Sequence, residues 1–320
     1  AAALAGAKLL DDDNSTDAQV QAKAIAFLNA HLIGFEVAGL TLANVVVTPN
    51  RADSSVNIAV DIQMPTTFGQ LAGVPSFEFN KSSTVVYKMK KVELAMALDI
   101  TGSMSATPSG DTRSRIASLK IAAKEVVDTV FDQAVNDTSI RVAIAPYSAS
   151  VNPGAYAWSV TGGAAGGGCV VERSGASNAT DDSPGGSSSL QPFSGSGTCP
   201  TQSVIPLAGR SQRSDIKNNI DNLAAGGSTA GHIGLAWAWY MLSPNWAGVF
   251  TGANAPSPYS TAGDVVKVAV IMTDGLFNTS YLSGAGVNSA AAADESYAQF
   301  DALCANMKAR GIMVFSIGFG

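Results

Sequence analysis

Asp99-Ile100-Thr101-Gly102-Ser103 closes the apolar run Val92-Glu93-Leu94-Ala95-Met96-Ala97-Leu98. A strand that stops at a carboxylate, two hydroxyls and a glycine sets hard oxygen donors on a tight turn. Those donors suit a divalent cation such as magnesium, which takes oxygen ligands in near-octahedral geometry at about 2.0–2.1 Å. The pentapeptide is short, so it gains weight only if distant segments return a further hydroxyl and a second carboxylate. Two segments offer them. Gly226-Gly227-Ser228-Thr229 lies between two helical patterns, Asp215–Leu223 and Ala230 onward. Its glycines allow close backbone approach, and Thr229 offers a hydroxyl, although alone it reads more simply as a helix cap. Val268-Ala269-Val270-Ile271-Met272 stops at Thr273-Asp274-Gly275, which alone reads as a turn aspartate. The coincidence of all three argues for a metal site.

The elements that must position these residues are legible as patterns. Val92–Leu98, Ile140–Ala145, Asp264–Met272 and Ile312–Ile317 are apolar strands. Helical spacing falls on Arg115–Phe131, capped at Asp111 or Thr112, on Ile233–Leu242 and on Asp294–Arg310. Buried strands alternating with helices predict an α/β fold with a doubly wound, mostly parallel sheet. Ligands collect at the carboxyl ends of such strands, where Asp99 lies. Residues 35–91 differ. Val37, Leu40, Leu42, Val45-Val46-Val47, Val56–Ile62 and Thr84–Tyr87 read as the strands of a small β-rich module. Residues 1–34 read as helical N-terminal pieces broken at Asp11-Asp12-Asp13-Asn14-Ser15, the second capped by Ser15 or Asp17. Three regions are expected: 1–34, 35–91 and 92–320, the last with a flexible Gly/Ser-rich surface insertion at 160–202.

A net charge of −6 over 320 residues leaves no basic stripe for phosphates, which argues against nucleic acid. Lys88, Lys90 and Lys91 read as a solvated strand edge. No run reaches the roughly 18 apolar residues of a spanning helix. The alanine-rich opening, Ala1 to Leu10, has no cap before it and reads as the tail of a helix begun earlier. Of three cysteines, Cys169 and Cys199 flank the Gly/Ser-rich stretch and read as a disulfide of an oxidising compartment, with unrelated thiols as the alternative. Cys304 is left as a buried thiol or one whose partner lies outside the chain.

The three site segments together resemble the metal-ion-dependent adhesion site of von Willebrand factor type A domains. Ala97–Met104, Gly227–Gly234, Tyr240–Trp246 and Met272–Thr279 are similar to the TadE/TadG family of tight-adherence (Flp) pilus-assembly proteins. The resemblance implies a Rossmann-like von Willebrand factor type A domain, with Thr101, Ser103 and Thr229 as hydroxyl ligands. Asp99 and Asp274 would act mainly through ordered waters, and a position would stay open for an acidic side chain of a protein partner. Mg2+ is the implied cofactor, with Mn2+ or Ca2+ as alternatives. The family also implies a periplasmic or extracellular location at the bacterial envelope, pilus or envelope components as partners, and a membrane anchor by a preceding pilin-like helix. Such domains normally continue past Met313–Ile317 with further elements, so the domain reads as incomplete at its C-terminus.

An enzyme is the main rival. Gly227-Ser228-Thr229-Ala230-Gly231 superficially resembles a nucleophile elbow, but it follows a helix rather than a strand, and His232 is too near to be its remote base. No G-x-x-x-x-G-K-[ST] loop is present. Asp11–Ser15 lacks the glycine and final glutamate of a calcium loop. The expectation is a non-catalytic, metal-dependent binder, with a purely structural subunit carrying a vestigial site as the alternative.

Overall fold

A computed structural model of the chain describes residues 1–10, 12, 14–32, 41–88, 90–164, 168–193, 199–260, 263–284 and 286–319. The expected strand positions Val37 and Leu40, the 34/35 boundary and Asp11 and Asp13 lie outside them. The chain forms two units, residues 1–89 and 90–320.

In the first unit, helices α1 (Ala2–Ala7) and α2 (Asp17–Leu32) accompany strands β1 (Thr41–Asn50), β2 (Ser55–Pro65) and β3 (Ser76–Val86). The strands form an antiparallel sheet in the order β1-β2-β3. Ala3, Ala7, Leu10, Val20, Ala24, Val47, Val56 and Ile58 make one core, so the helical and β-rich stretches share their buried face. Thr16, rather than Ser15 or Asp17, caps α2. Its hydroxyl accepts from the Gln19 amide at 3.3 Å while Gln19 Oε1 accepts from the Thr16 amide at 2.7 Å, a reciprocal box. Arg51, at the β1–β2 turn, donates to Asp17 and to the carbonyls of Leu10 and Ser15, tying the helix break to the sheet.

The second unit is α/β. It contains β4 (Lys91–Asp99), α3 (Arg115–Asp132), β5 (Ile140–Tyr147), α4 (Ala157–Val160), β6 (Val170–Val171), β7 (Gln191–Pro192) and β8 (Ile205–Ala208). It continues through α5 (Arg213–Asp221), α6 (Gly231–Leu242), β9 (Val265–Thr273), β10 (Thr279–Ser280), β11 (Gly286–Val287), α7 (Ala290–Ala309) and β12 (Met313–Gly318). The central sheet runs β12-β9-β4-β5-β8; its first four strands are parallel and β8 is antiparallel to β5. Strand residues alternate between faces, and the alternation sorts them by size. Ala95, Ala97, Ala143, Ala145, Ala269 and Ile271 face the bulky side of α6 and α7. Leu94, Met96, Leu98, Val142, Ile144, Val270 and Met272 face α3 and α5. Small residues on one face let α6 lie close, and every residue of α6 is buried.

Helix α3 begins at the expected Arg115, but its N-cap position is Ser114 rather than Asp111 or Thr112. The described residues of the stretch 160–202 are less of a loose surface loop than its composition suggests. Val170, Val171 and Leu190 join the main core, and Glu172, Arg173 and Asp181 are buried beside them. Cys169 and Cys199 are disulfide-bonded across a separation of 30 residues, and Cys304 is free and half-buried.

Candidate metal centre

The carboxyl ends of β4 and β9 lie side by side, with Leu98 opposite Met272 in register. Asp99 is fully buried there. Its Oδ1 accepts from the Thr101 amide at 2.9 Å and its Oδ2 from the Thr273 hydroxyl at 2.7 Å. The Thr273 hydroxyl in turn accepts from the Gly275 amide at 2.9 Å, so the turn after β9 is fastened to Asp99. The Thr101 and Ser103 hydroxyls share a hydrogen bond of 3.1 Å. Thr101 is buried and Ser103 is exposed, giving the turn a dry side and a wet side.

Backbone bonds bring in the loop between α5 and α6. Gly102 N donates to Gly227 O at 2.9 Å, and Gly226 N donates to Ile100 O at 2.7 Å. Gly227 has φ +85°, a conformation that glycine adopts without steric cost. Thr229 does not cap α6: Ala230 holds that position. Instead the Thr229 amide donates to Asn278 Oδ1 at 2.8 Å and its carbonyl accepts from Asn278 N at 2.9 Å. Asn278 thus clips the Thr229 loop to the segment after Asp274. All five expected residues, Asp99, Thr101, Ser103, Thr229 and Asp274, stand on three loops joined directly by these bonds.

Asp274 is the group of the site that the protein leaves least satisfied. Its side chain is 3 % exposed, and among the described residues neither carboxylate oxygen has a hydrogen-bond partner. The Arg115 guanidinium approaches Asp274 Oδ2 at 3.6 Å and also donates to the Ser103 carbonyl at 3.3 Å. Burial, with the nearby charge of Asp274, raises the Asp99 carboxyl above its ordinary range against the hydrogen bonds that lower it. Tyr147, buried behind them, has its phenol pushed up by burial and by the charge of Asp99.

Sequence reading named the five donors but missed the residues that hold them. Thr273 lay inside a quoted motif, and its place before Asp274 was the available signal. Asn278 lay inside the same string, Met272–Thr279, but its partner Thr229 is 49 residues away; Arg115 carried no signal, its partner Asp274 being 159 residues away. Among the described residues no group of three or more His, Cys, Asp or Glu could hold a metal. The donors here are two carboxylates and three hydroxyls.

No family model and no curated protein matches the chain. Among solved structures, the PilB minor pilin from Streptococcus sanguinis is similar at 12% identity, covering 88% of this chain and 67% of that one, with a TM-score of 0.41. The pilus adhesin SpaC from Lactobacillus rhamnosus GG is similar at 12% identity, with coverage of 87% and 28% and a TM-score of 0.39. A von Willebrand factor type A protein from Catenulispora acidiphila is similar at 13% identity, with coverage of 88% and 46% and a TM-score of 0.32. The chain therefore spans under a third of the adhesin and under half of the type A protein.

Proposed function

We propose that the second unit is a von Willebrand factor type A domain, and that it binds a protein partner through a divalent cation without catalysing a reaction. The observation that carries this reading is Asp274: a buried carboxylate with both oxygens unpartnered, on a loop fastened to Asp99, Thr101, Ser103 and Thr229. The donors fit the ion, because magnesium favours carboxylate and hydroxyl oxygen over nitrogen or sulfur. Thr101, Ser103 and Thr229 would supply hydroxyls, and Asp99 and Asp274 would hold the surrounding waters. When bound, Mg2+, or Mn2+ or Ca2+ in its place, supplies an electrophilic centre for an acidic side chain of the partner. The motif strings quoted above support a place in tight-adherence (Flp) pilus assembly as a TadE/TadG-like protein of the bacterial envelope. Its partners would then be pilus or envelope components, and its anchor a preceding helix. Among the described residues no helix is long and apolar enough to cross a membrane.

One observation favours a structural subunit with a vestigial site. Arg115 already brings a positive charge to Asp274. Metal titration separates the two readings. Millimolar Mg2+ or Mn2+ is expected to raise the thermal midpoint of the intact chain, and Asp274→Ala to abolish the rise while leaving the fold intact. No rise in the native chain, or an equal rise in Asp274→Ala, leaves only the structural role.

A further inference from the structure

A second polar feature shares no residue with the metal centre. Glu172 follows β6, and its side chain is 2 % exposed. Its Oε1 accepts from the Tyr281 amide at 2.5 Å and from the Ser280 hydroxyl at 3.3 Å. His232 Nε2 stands 3.5 Å from the same oxygen, and His232 Nδ1 lies 2.6 Å from the Ser296 hydroxyl. Among the described residues, Glu172 Oε2 and the Tyr281 hydroxyl have no hydrogen-bond partner. Unpartnered buried polar atoms of this kind call for an explanation.

Glu172 and Tyr281 both line one pocket of about 340 Å³, walled also by Val171, Pro192, Phe193 and Leu282. Phe193 and Tyr281 meet edge to face, with ring centroids 5.9 Å apart. Burial would raise the Glu172 carboxyl, but His232 and the Tyr281 amide hold it below its ordinary value, so it is ionised at neutral pH. Arg173, next in sequence, also lines the pocket, yet its guanidinium is committed elsewhere. It donates to the carbonyls of Thr180 and Asp182 and lies 4.7 Å from the Tyr240 ring centroid. The pocket therefore presents one buried carboxylate, approached by His232 through its Oε1 only, among walls that are apolar and aromatic except at Ser174 and Gln191. A bare metal ion is poorly served, since one carboxylate and a phenol cannot replace its hydration shell. An alkylammonium suits it: the head group pairs with the carboxylate, and the stem lies along the aromatic pair.

We propose that this pocket binds a primary alkylammonium group, the chemistry of a lysine side chain presented by a partner. The test is calorimetric titration of the full chain, without added metal, using Nα-acetyl-lysine methylamide, its norleucine counterpart and n-butylamine. Saturable binding of the lysine amide, and none of the norleucine amide, is the expected result. Glu172→Gln is expected to weaken lysine-amide binding about tenfold or more, as loss of a charge-assisted hydrogen bond implies. Phe193→Ala removes an aromatic wall without touching Glu172 or His232, and is expected to weaken binding several-fold. Tighter binding of the lysine amide than of n-butylamine identifies a peptide as the source; the reverse order overturns the lysine assignment. Equal binding of lysine and norleucine amides, no binding of the lysine amide, or unchanged affinity in Glu172→Gln overturns the proposal. If Glu172→Gln fails to fold, Phe193→Ala and the lysine–norleucine contrast decide.

Discussion

At the residue scale, Glu93 shows how a charge can be held inside an apolar strand. It is 1 % exposed in the middle of β4, and it accepts from Lys267, from Arg141 and from the Ser257 amide. Lys267, 4 % exposed, donates also to the Leu242 carbonyl at 2.8 Å. Burial works to raise the Glu93 carboxyl, but Lys267, Ser257 and Arg141 together lower it below its ordinary value of 4.5. A carboxyl depressed in the folded state contributes stability above its unfolded value, and loses it as pH falls through the folded value. Thermal midpoints measured from pH 7 downward are therefore expected to fall below about pH 4.5, and Glu93→Gln to flatten that fall. At pH 7 the same substitution leaves Lys267 buried without its counter-ion, which is expected to cost about 3–5 kcal/mol in denaturant unfolding. A loss under about 1 kcal/mol would mean that water reaches the ammonium. In the sequence Glu93 is only an interruption of an apolar run. Its partners lie 48 and 174 residues away, so nothing local announces them.

At the element scale, α6 is the piece against which the site is built. All twelve of its residues are buried, and only its cap residue, Ala230, separates its first turn from Thr229. A Cβ on Gly234 would stand 2.3 Å from the Tyr147 ring, so the helix reaches the sheet only because that position has no side chain. Tyr147 is itself fully buried at the end of β5 and has no room to retreat. Gly234→Ala is expected to destabilise by about 1–3 kcal/mol in chemical denaturation, overpacking outweighing alanine's better helix propensity. Gly248→Ala, where a Cβ meets nothing within 4 Å, is the neutral control. Equal stability of the two variants would sink the close-approach account. Elements buried on both faces are the ones a sequence announces: β4, β5 and β9 read as continuous apolar runs. Asp99 and Asp274 were legible because each ends such a run. By contrast β8, Ile205-Pro206-Leu207-Ala208, is short and carries a proline, so it looks like loop. The burial of Glu172, Arg173 and Asp181 was hidden by the glycine and serine around them. Composition reports average flexibility and cannot show which few residues a disulfide and two core valines carry inward.

At the scale of the whole molecule, the two units have separate cores of unequal size. The first unit closes eight buried apolar residues, three of them alanine, and most of β3 is exposed. The second has two larger clusters on opposite faces of its sheet, with three buried tryptophans in one of them. Among the described residues, none belongs to both a first-unit and a second-unit core. Burial of apolar area is the main stabilising contribution, so the first unit, with its smaller core and mostly exposed β3, is expected to be the less stable of the two. Scanning calorimetry of the intact chain is expected to show two transitions. At roughly 0.7 kcal/mol per residue, the lower should carry about 60 kcal/mol for residues 1–89 and the upper about 160 kcal/mol for the remainder. Ligand binding stabilises only the unit that folds the site. Saturating Mg2+ should therefore move the upper transition and leave the lower where it was. A single transition carrying the summed enthalpy would show that the units unfold as one. Two transitions that move together with metal would place the cation outside the loops of Asp99, Thr229 and Asp274, because no donor of that set lies in the first 89 residues.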